Sequence, residues 1–197
     1  DQPVSDKNSA KLTILDGGDL VLLEQSKNLV WSTNLRSPSS GSVVAVLLDT
    51  GNLTLSNRPN TSESDAIWQS FDHPTDTRLP GGKIKFDNKT KKTQYLTSWN
   101  NKEDPAPGLF SPELDPAGRT AYLILWNKSE QHWTSGAWNG HIFNLVPDIR
   151  LNYIYKFTFQ SNENECYFTY SLYNSSIISR FFMDTSGQIK QLTSATE

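Results

Sequence analysis

The feature that most constrains this chain is a hairpin-sized sequence unit that recurs. "LDGGDLVLLEQSKNLVWSTN" at 15–34 resembles "LDTGNLTLSNRPNTSESDAIWQSF" at 48–71, with Asp16 and Asp49 33 residues apart. Asp115, in "LDPAGRTAYLILWNKSEQHWTSG", lies a further 66 residues on, twice that spacing. Each unit runs Asp, Gly turn, apolar strand, turn, then Trp with a hydroxyl residue one or two places later: Trp31-Ser32, Trp68-Gln69-Ser70 and Trp133-Thr134-Ser135. One hairpin cannot bury its apolar face alone, so repeated hairpins must pack together. The expectation is three packed sheets around a tryptophan-rich core, with Trp31, Trp68 and Trp133 mostly buried.

The remainder agrees with an all-β chain. Helical periodicity is almost absent, and short apolar runs are cut by Gly, Pro, Asn and Asp. In "YIYKFTF", Tyr153, Tyr155, Phe157 and Phe159 share one face by period two. The turn clusters "SNENE", "NSS" and "DTSG" then separate "YFTYSLY", "IISRFFM" and "QIKQL", which reads as an antiparallel meander of four strands over 151–193. With 197 residues, one or two domains are expected. The boundaries we assign are 1–90 and 91–197.

Composition narrows the function. The net charge is -3, with 36% hydrophobic and 20% charged residues. A nucleic-acid partner would need a basic face, and the only basic runs, Lys83/Lys85 and Lys89/Lys91/Lys92, read as solvated loop. No apolar run reaches the roughly 20 residues that span a bilayer, and no signal peptide is present. Cys166 is the single cysteine, which excludes an internal disulfide and reads as a small buried hydrophobe on a strand.

"WQSFDHPTDTRLPGG" at 68–82 crowds Asp72, His73 and Asp76 among hydroxyls. A metal or hydrolytic site needs ligands that converge on one point, usually with a third group from elsewhere, and neither Asp-His nor His-x-x-Asp is a strong ligand pattern on a β scaffold. His132 and His141 bring no matching partner motif. Pro74 restricts His73 to extended geometry, and Asp72, Thr75, Asp76 and Thr77 are residues that bond backbone N–H groups in turns. We therefore read the segment as scaffold, with no metal, and expect these carboxylates to bond backbone within the turn. Nucleophile-elbow, phosphate-loop and H-E-x-x-H motifs are missing, as are the glycine-rich loop, H-R-D and D-F-G of protein kinases.

Three blocks resemble those of plant S-domain (G-type lectin) receptor-like serine/threonine kinases and S-locus glycoproteins. "WQSFDHPTDTRLPG" is similar to their W-Q-S-F-D-x-P-T-D-T-x-L-P-G. "LTSWNNKEDPAPGLFSPELDPAG" is similar to L-T-S-W-x-x-x-x-D-P-x-x-G-x-F-S, and "WTSGAWNGHIF" to W-x-S-G-x-W-N-G-x-x-F. The repeat at 12–71 resembles a bulb-type, mannose-binding lectin domain, and 151–193 an S-locus glycoprotein domain. The resemblance implies a truncated β-prism-like lectin unit followed by a second lectin-like unit, incomplete at its C-terminus, with Trp31, Trp68, Asp72, Pro74, Asp76, Trp99, Trp133 and Trp138 as structural residues. It also implies an ectodomain fragment of a single-pass receptor on the extracellular side of the plasma membrane. Such receptors begin with a signal peptide and the first lectin strands. They continue with EGF-like and PAN modules, a membrane helix and an ATP-dependent kinase, so the fragment itself is no enzyme and carries no cofactor. The implied partners are an extracellular ligand and a second receptor in a homo- or hetero-dimer. Family roles are pollen recognition and defence or stress sensing.

The sugar site of bulb lectins resembles Q-x-D-x-N-x-V-x-Y. It falls on Leu48, Thr50, Asn52, Thr54 and Ser56 in one repeat, where only Asn52 matches. In the other it falls on Leu15, Gly17, Asp19, Val21 and Leu23, where only Val21 matches and Asp19 replaces the Asn. Losing most of the polar contacts to a polar ligand makes a working mannose site the weaker alternative. Sequons occur at Asn52, Asn60, Asn88, Asn127 and Asn174. Turn placement favours glycans at Asn60, Asn88 and Asn174 over Asn127, with Asn52, at the start of a strand, last.

Overall fold

The computed structural model describes residues 4, 8–24, 28–35, 42–58, 65–117, 120–146 and 153–195. Among these the regular elements are strands, with a short 3-10 turn at Ser70–Asp72. The all-β expectation therefore holds, and its physical basis is the period-two patterning. In Glu165–Leu172, for instance, buried Cys166, Phe168 and Tyr170 alternate with partly exposed residues.

The chain forms two compact units, Asp1–His73 with Glu103–Ala106, and Pro74–Lys102 with Pro107–Glu197. In the first unit, β1 (Lys11–Ile14), β2 (Leu20–Leu23) and β3 (Leu29–Ser32) form one antiparallel sheet. A second comprises β4 (Val44–Leu47), β5 (Leu53–Ser56) and β6 (Trp68–Gln69). The second unit holds β7 (Thr77–Arg78), β8 (Ile84–Asp87), β9 (Phe110–Leu114), β10 (Tyr122–Trp126), β11 (Glu130–Thr134), β12 (Tyr155–Ser161), β13 (Glu165–Leu172), β14 (Ile177–Met183) and β15 (Ile189–Ala195). Its sheets run β11-β10-β9, β12-β13-β8 and β15-β14-β7.

The sequence repeat is a structural repeat. In each of the three hairpins the tryptophan pairs across from the third residue of the central strand: Leu22↔Trp31, Leu55↔Trp68 and Ile124↔Trp133. The turns match in the first two, where Leu15 and Leu48 N–H groups bond the Asp19 and Asn52 carbonyls. The third turn is longer, closing from Asp115 to Ala121.

Three expectations need correction. The four-strand meander is two separate hairpins: β12 pairs with β13 and β14 with β15, but β13 takes β8 and β14 takes β7 as its other neighbour. Residues 77–87 supply the strands that part them, so the compact division falls at 73/74 rather than 90/91. The tryptophans are not deep core. Trp31 is 37% and Trp133 38% exposed, Trp99 is also exposed, and Trp68 and Trp138 are only partly buried. Trp31, Trp68 and Trp133 stand on edge strands of three-stranded sheets, where one flank has no neighbouring strand. Trp31 and Trp68 meet edge to face, with centroids 6.0 Å apart.

What is buried in the second unit is a cluster of Ile84, Leu96, Leu114, Tyr122, Phe143, Cys166 and Phe168. Trp138 leans on Phe143 and Phe168 at the margin of this cluster. The block at 96–112 is a close-packed hairpin: Ser98 and Leu96 N–H groups bond the Phe110 and Pro112 carbonyls. Gly108 is required there, because a Cβ would sit 2.2 Å from the Trp99 carbonyl oxygen.

Candidate functional site

The hydroxyl that follows each tryptophan has one repeated task. Thr33 Oγ1, Ser70 Oγ and Ser135 Oγ accept the backbone N–H of Leu20 (3.1 Å), Leu53 (2.9 Å) and Tyr122 (2.9 Å), the first residues of the three central strands. In the first two hairpins a polar residue beside that strand residue receives the hydroxyl proton. Thr33 donates to Asp19 Oδ1 at 3.0 Å, and Ser70 donates to Asn52 Oδ1 at 3.1 Å. Asp19 Oδ1 also accepts the Leu35 N–H, and Asn52 Oδ1 accepts the Phe71 N–H. Asn52 is 0% exposed, and its Nδ2 donates to Gln69 Oε1 at 2.9 Å.

These contacts use up the residues aligned with a sugar site. Asn52 is sealed inside the fold. Thr54 and Ser56 are buried, with hydroxyls donated to the Val46 and Arg58 carbonyls. Val21 is core at 1% exposure. Asp19 is partly buried and committed to the turn after β3. A hydroxyl-rich ligand would have to break internal hydrogen bonds to reach these groups.

In the 68–82 segment the acidic side chains meet neighbouring side chains. The Asp72 carboxylate accepts from the Gln69 side chain (2.8 Å), and Asp76 Oδ1 from the Thr75 hydroxyl (3.2 Å). The His73 N–H bonds the Ser70 carbonyl. The His73 ring lies flat on Trp68, 5.2 Å between centroids and 7° between planes. Pro74 follows at the start of the second unit, and the Asp76 carbonyl accepts the Met183 N–H. Among the described residues no group of three His, Cys, Asp or Glu side chains converges as a metal site would require.

The second unit holds a cleft of about 860 Å³. Its walls bring together β7, β10, β11, β12, β14 and the turn before β15, with Trp133, Tyr153, Tyr155, Phe157 and Phe181 as the main aromatic lining. Tyr153, 83% exposed, stands at its margin, and Trp133 presents its open flank there. The Tyr155 hydroxyl is fixed against Ser179 (2.6 Å) and Thr193 (2.8 Å).

One side chain is out of place in this lining. Arg78 is 8% exposed. Its Nη1 donates to the Tyr122 hydroxyl at 2.7 Å, and its guanidinium lies 5.2 Å from the Tyr170 ring, 5.6 Å from Tyr122 and 6.0 Å from Phe181. Burial pushes the Tyr122 and Tyr170 phenols up, against the pull of Arg78, so both stay neutral at physiological pH. Nε is buried with no hydrogen-bond partner among the described residues. No sequence pattern marks this cleft, whose lining is gathered from positions scattered between 78 and 191.

Comparison with known proteins matches residues 1–100 to the D-mannose binding lectin family and 133–197 to the S-locus glycoprotein domain. A G-type lectin S-receptor-like serine/threonine-protein kinase of Arabidopsis thaliana is 54% identical over 98% of this chain, and an S-locus-specific glycoprotein of Brassica oleracea is 39% identical over the same share. The chain spans 23% and 44% of those two proteins. A monomeric mannose-binding lectin structure from Gastrodia elata, at 17% identity over 66% of this chain and 80% of its own, has a TM-score of 0.26, too low a likeness to argue from. The lectin match covers half of the chain, the S-locus match most of the remainder, and the chain belongs to the D-mannose binding lectin family in its plant S-domain form, a bulb-type lectin region joined to an S-locus glycoprotein domain.

Proposed function

We propose that this chain is the ligand-recognition region of an extracellular receptor, and that recognition takes place in the aromatic cleft of the second unit rather than at the lectin sugar positions. The carrying observation is a contrast of chemistry. Among the aligned sugar positions Asn52, Thr54 and Ser56 have their polar groups buried and bonded internally, whereas the cleft is open, apolar and of a size that suits a small ligand. Kinship with receptor kinases supports the wider reading, in which ligand binding outside the cell pairs ectodomains and brings ATP-dependent serine/threonine kinase domains together. Among the described residues no helix is long and apolar enough to cross a membrane, so in this reading the anchor and the kinase belong to other parts of the protein.

The lectin-family match favours a second reading, mannose binding within residues 1–100. A glycan array separates the two. The cleft reading expects no mannoside signal, and any small-molecule binding should be lost in Trp133→Ala and unaffected by Thr50→Ala. Mannoside binding abolished by a change near Asn52 would reverse the assignment.

A further inference from the structure

Arg78 poses a problem that the fold alone does not solve. A buried guanidinium is ordinarily matched by a carboxylate, because removing a charge from water costs several kcal/mol unless it is paired. Among the described residues neither Asp nor Glu lines the cleft and Nε has no partner, and the phenols around Arg78 are neutral. Three aromatic faces and one phenol oxygen recover part of the cost. The remainder is an unmet demand for an anion in an otherwise apolar cleft.

We propose that the cleft binds an apolar, ring-bearing carboxylic acid whose carboxylate pairs with Arg78 while its body lies against Trp133, Tyr155, Phe157 and Phe181. This rests on the cleft being the recognition site, and adds the ligand's chemical class. A carboxylate suits the site better than a phosphate. One guanidinium offers a planar pair of donors to one negative charge. Among the described residues no lysine and no second arginine lines the cleft, so a dianion would bring in a charge that none of them balances. The volume of about 860 Å³ admits a body of drug-like size.

The probe is 11-(dansylamino)undecanoic acid, titrated by fluorescence into the complete chain beside its neutral primary amide. The expected result is saturable binding of the acid, with the amide roughly tenfold to a hundredfold weaker, the scale of one charge-assisted pair. Arg78→Met should weaken the acid by the same factor and leave the amide unchanged, and Arg78→Lys should restore part of the loss. Arg78→Met also leaves the buried Tyr122 hydroxyl without its donor, so its folding is checked by its melting temperature. Should that variant not fold, acid against amide on the native chain still decides. Equal binding of acid and amide, both weakened by Trp133→Ala, would overturn the carboxylate pairing while leaving the recognition cleft standing. Binding of neither would overturn both.

Discussion

Hairpins one and three share a strand register, a tryptophan and a buried hydroxyl, yet differ at the residue that precedes the central strand: Asp19 in the first, Ala121 in the third. Asp19 receives the Thr33 hydroxyl and ties down the backbone beyond it. With Ala121 there is nothing to receive, and the Ser135 hydroxyl turns to the Gly136 carbonyl at 2.8 Å instead. Their tryptophans diverge as well: Trp31 meets Trp68, while Trp133 lines a cleft. The same backbone device is thus locked by polar side chains in the first unit and left with an open apolar flank in the second. A binding surface needs unspent groups, and in these hairpins only the second unit retains them.

The strongest way to break this comparison is at Asn52. Asn52→Ala leaves the Phe71 N–H and Gln69 Oε1 without their buried partner and removes the acceptor of the Ser70 hydroxyl. We expect a loss of about 3 kcal/mol in the first unit, read by urea unfolding. Asn52→Asp should also be costly, because it sets a buried carboxylate against Gln69 Oε1. The reciprocal Asp19→Asn should cost under about 1 kcal/mol at its partly buried site. Equal effects would mean the two positions are not in fact sealed to different degrees.

Alkaline pH should come next in size and should act on one unit only. All seven tyrosines lie between 95 and 173, within the second unit. Burial raises the Tyr122 and Tyr170 phenols above their ordinary value of 10.0 in the folded state. The unfolded chain therefore sheds those protons first, and stability is lost as pH climbs above about 10, by roughly 1.4 kcal/mol per pH unit for each phenol. Below that pH the contribution is constant. Hydrogen exchange resolved by segment should show protection falling in 107–195 while 8–58 holds. Uniform loss would place the alkaline transition elsewhere.

The tryptophans give a smaller contrast. Trp31→Ala loses the edge contact to Trp68 and should cost about 1–2 kcal/mol. Trp133→Ala, on the cleft, should cost under about 1 kcal/mol while abolishing probe binding. Chemical denaturation of both variants tests this, and a Trp133→Ala variant as damaged as one with a deep core deletion would restore the buried-tryptophan reading.

Much of the fold was legible because it rests on local pattern. Period-two runs, Asp-Gly turns and the tryptophan-hydroxyl ending mark each hairpin, although in the first the hydroxyl that accepts the strand N–H is Thr33 rather than Ser32. Strand pairing beyond the hairpins was not legible. β7 is two residues long and sits in a stretch that reads as turn, yet it and β8 decide that β13 and β14 never pair. Tryptophan burial was misjudged because a period assigns a face of the sheet, not whether a strand is an edge. The cleft was invisible for a related reason: it is assembled from separate sheets, and the motif around 68–82 leaves positions 73 and 78 open, so nothing singled out Arg78.

Glycans offer the mildest test, since a surface sugar barely alters stability. Asn52 has no exposed surface and has already given its Nδ2, the atom a glycan would occupy, to Gln69. Asn88 is partly buried and donates Nδ2 to the Asn162 carbonyl at 2.8 Å, so it ranks lower than its turn-like sequence implied. Asn127 is exposed on the β10–β11 hairpin, with φ of 49°, and Asn174 is exposed with its Oδ1, not its Nδ2, engaged by Ser176. Asn60 lies outside the described residues. In a secretory host we therefore expect Asn127 and Asn174 to be more fully glycosylated than Asn88, and Asn52 to be bare, as read by glycopeptide mass spectrometry. Asn174→Gln should shift stability by no more than about 0.5 kcal/mol. A folded, secreted chain that carries a glycan on Asn52 would require the network of Gln69, Ser70 and Phe71 to be open in the native state. The first unit would then hold unspent polar groups too, and its contrast with the second would collapse.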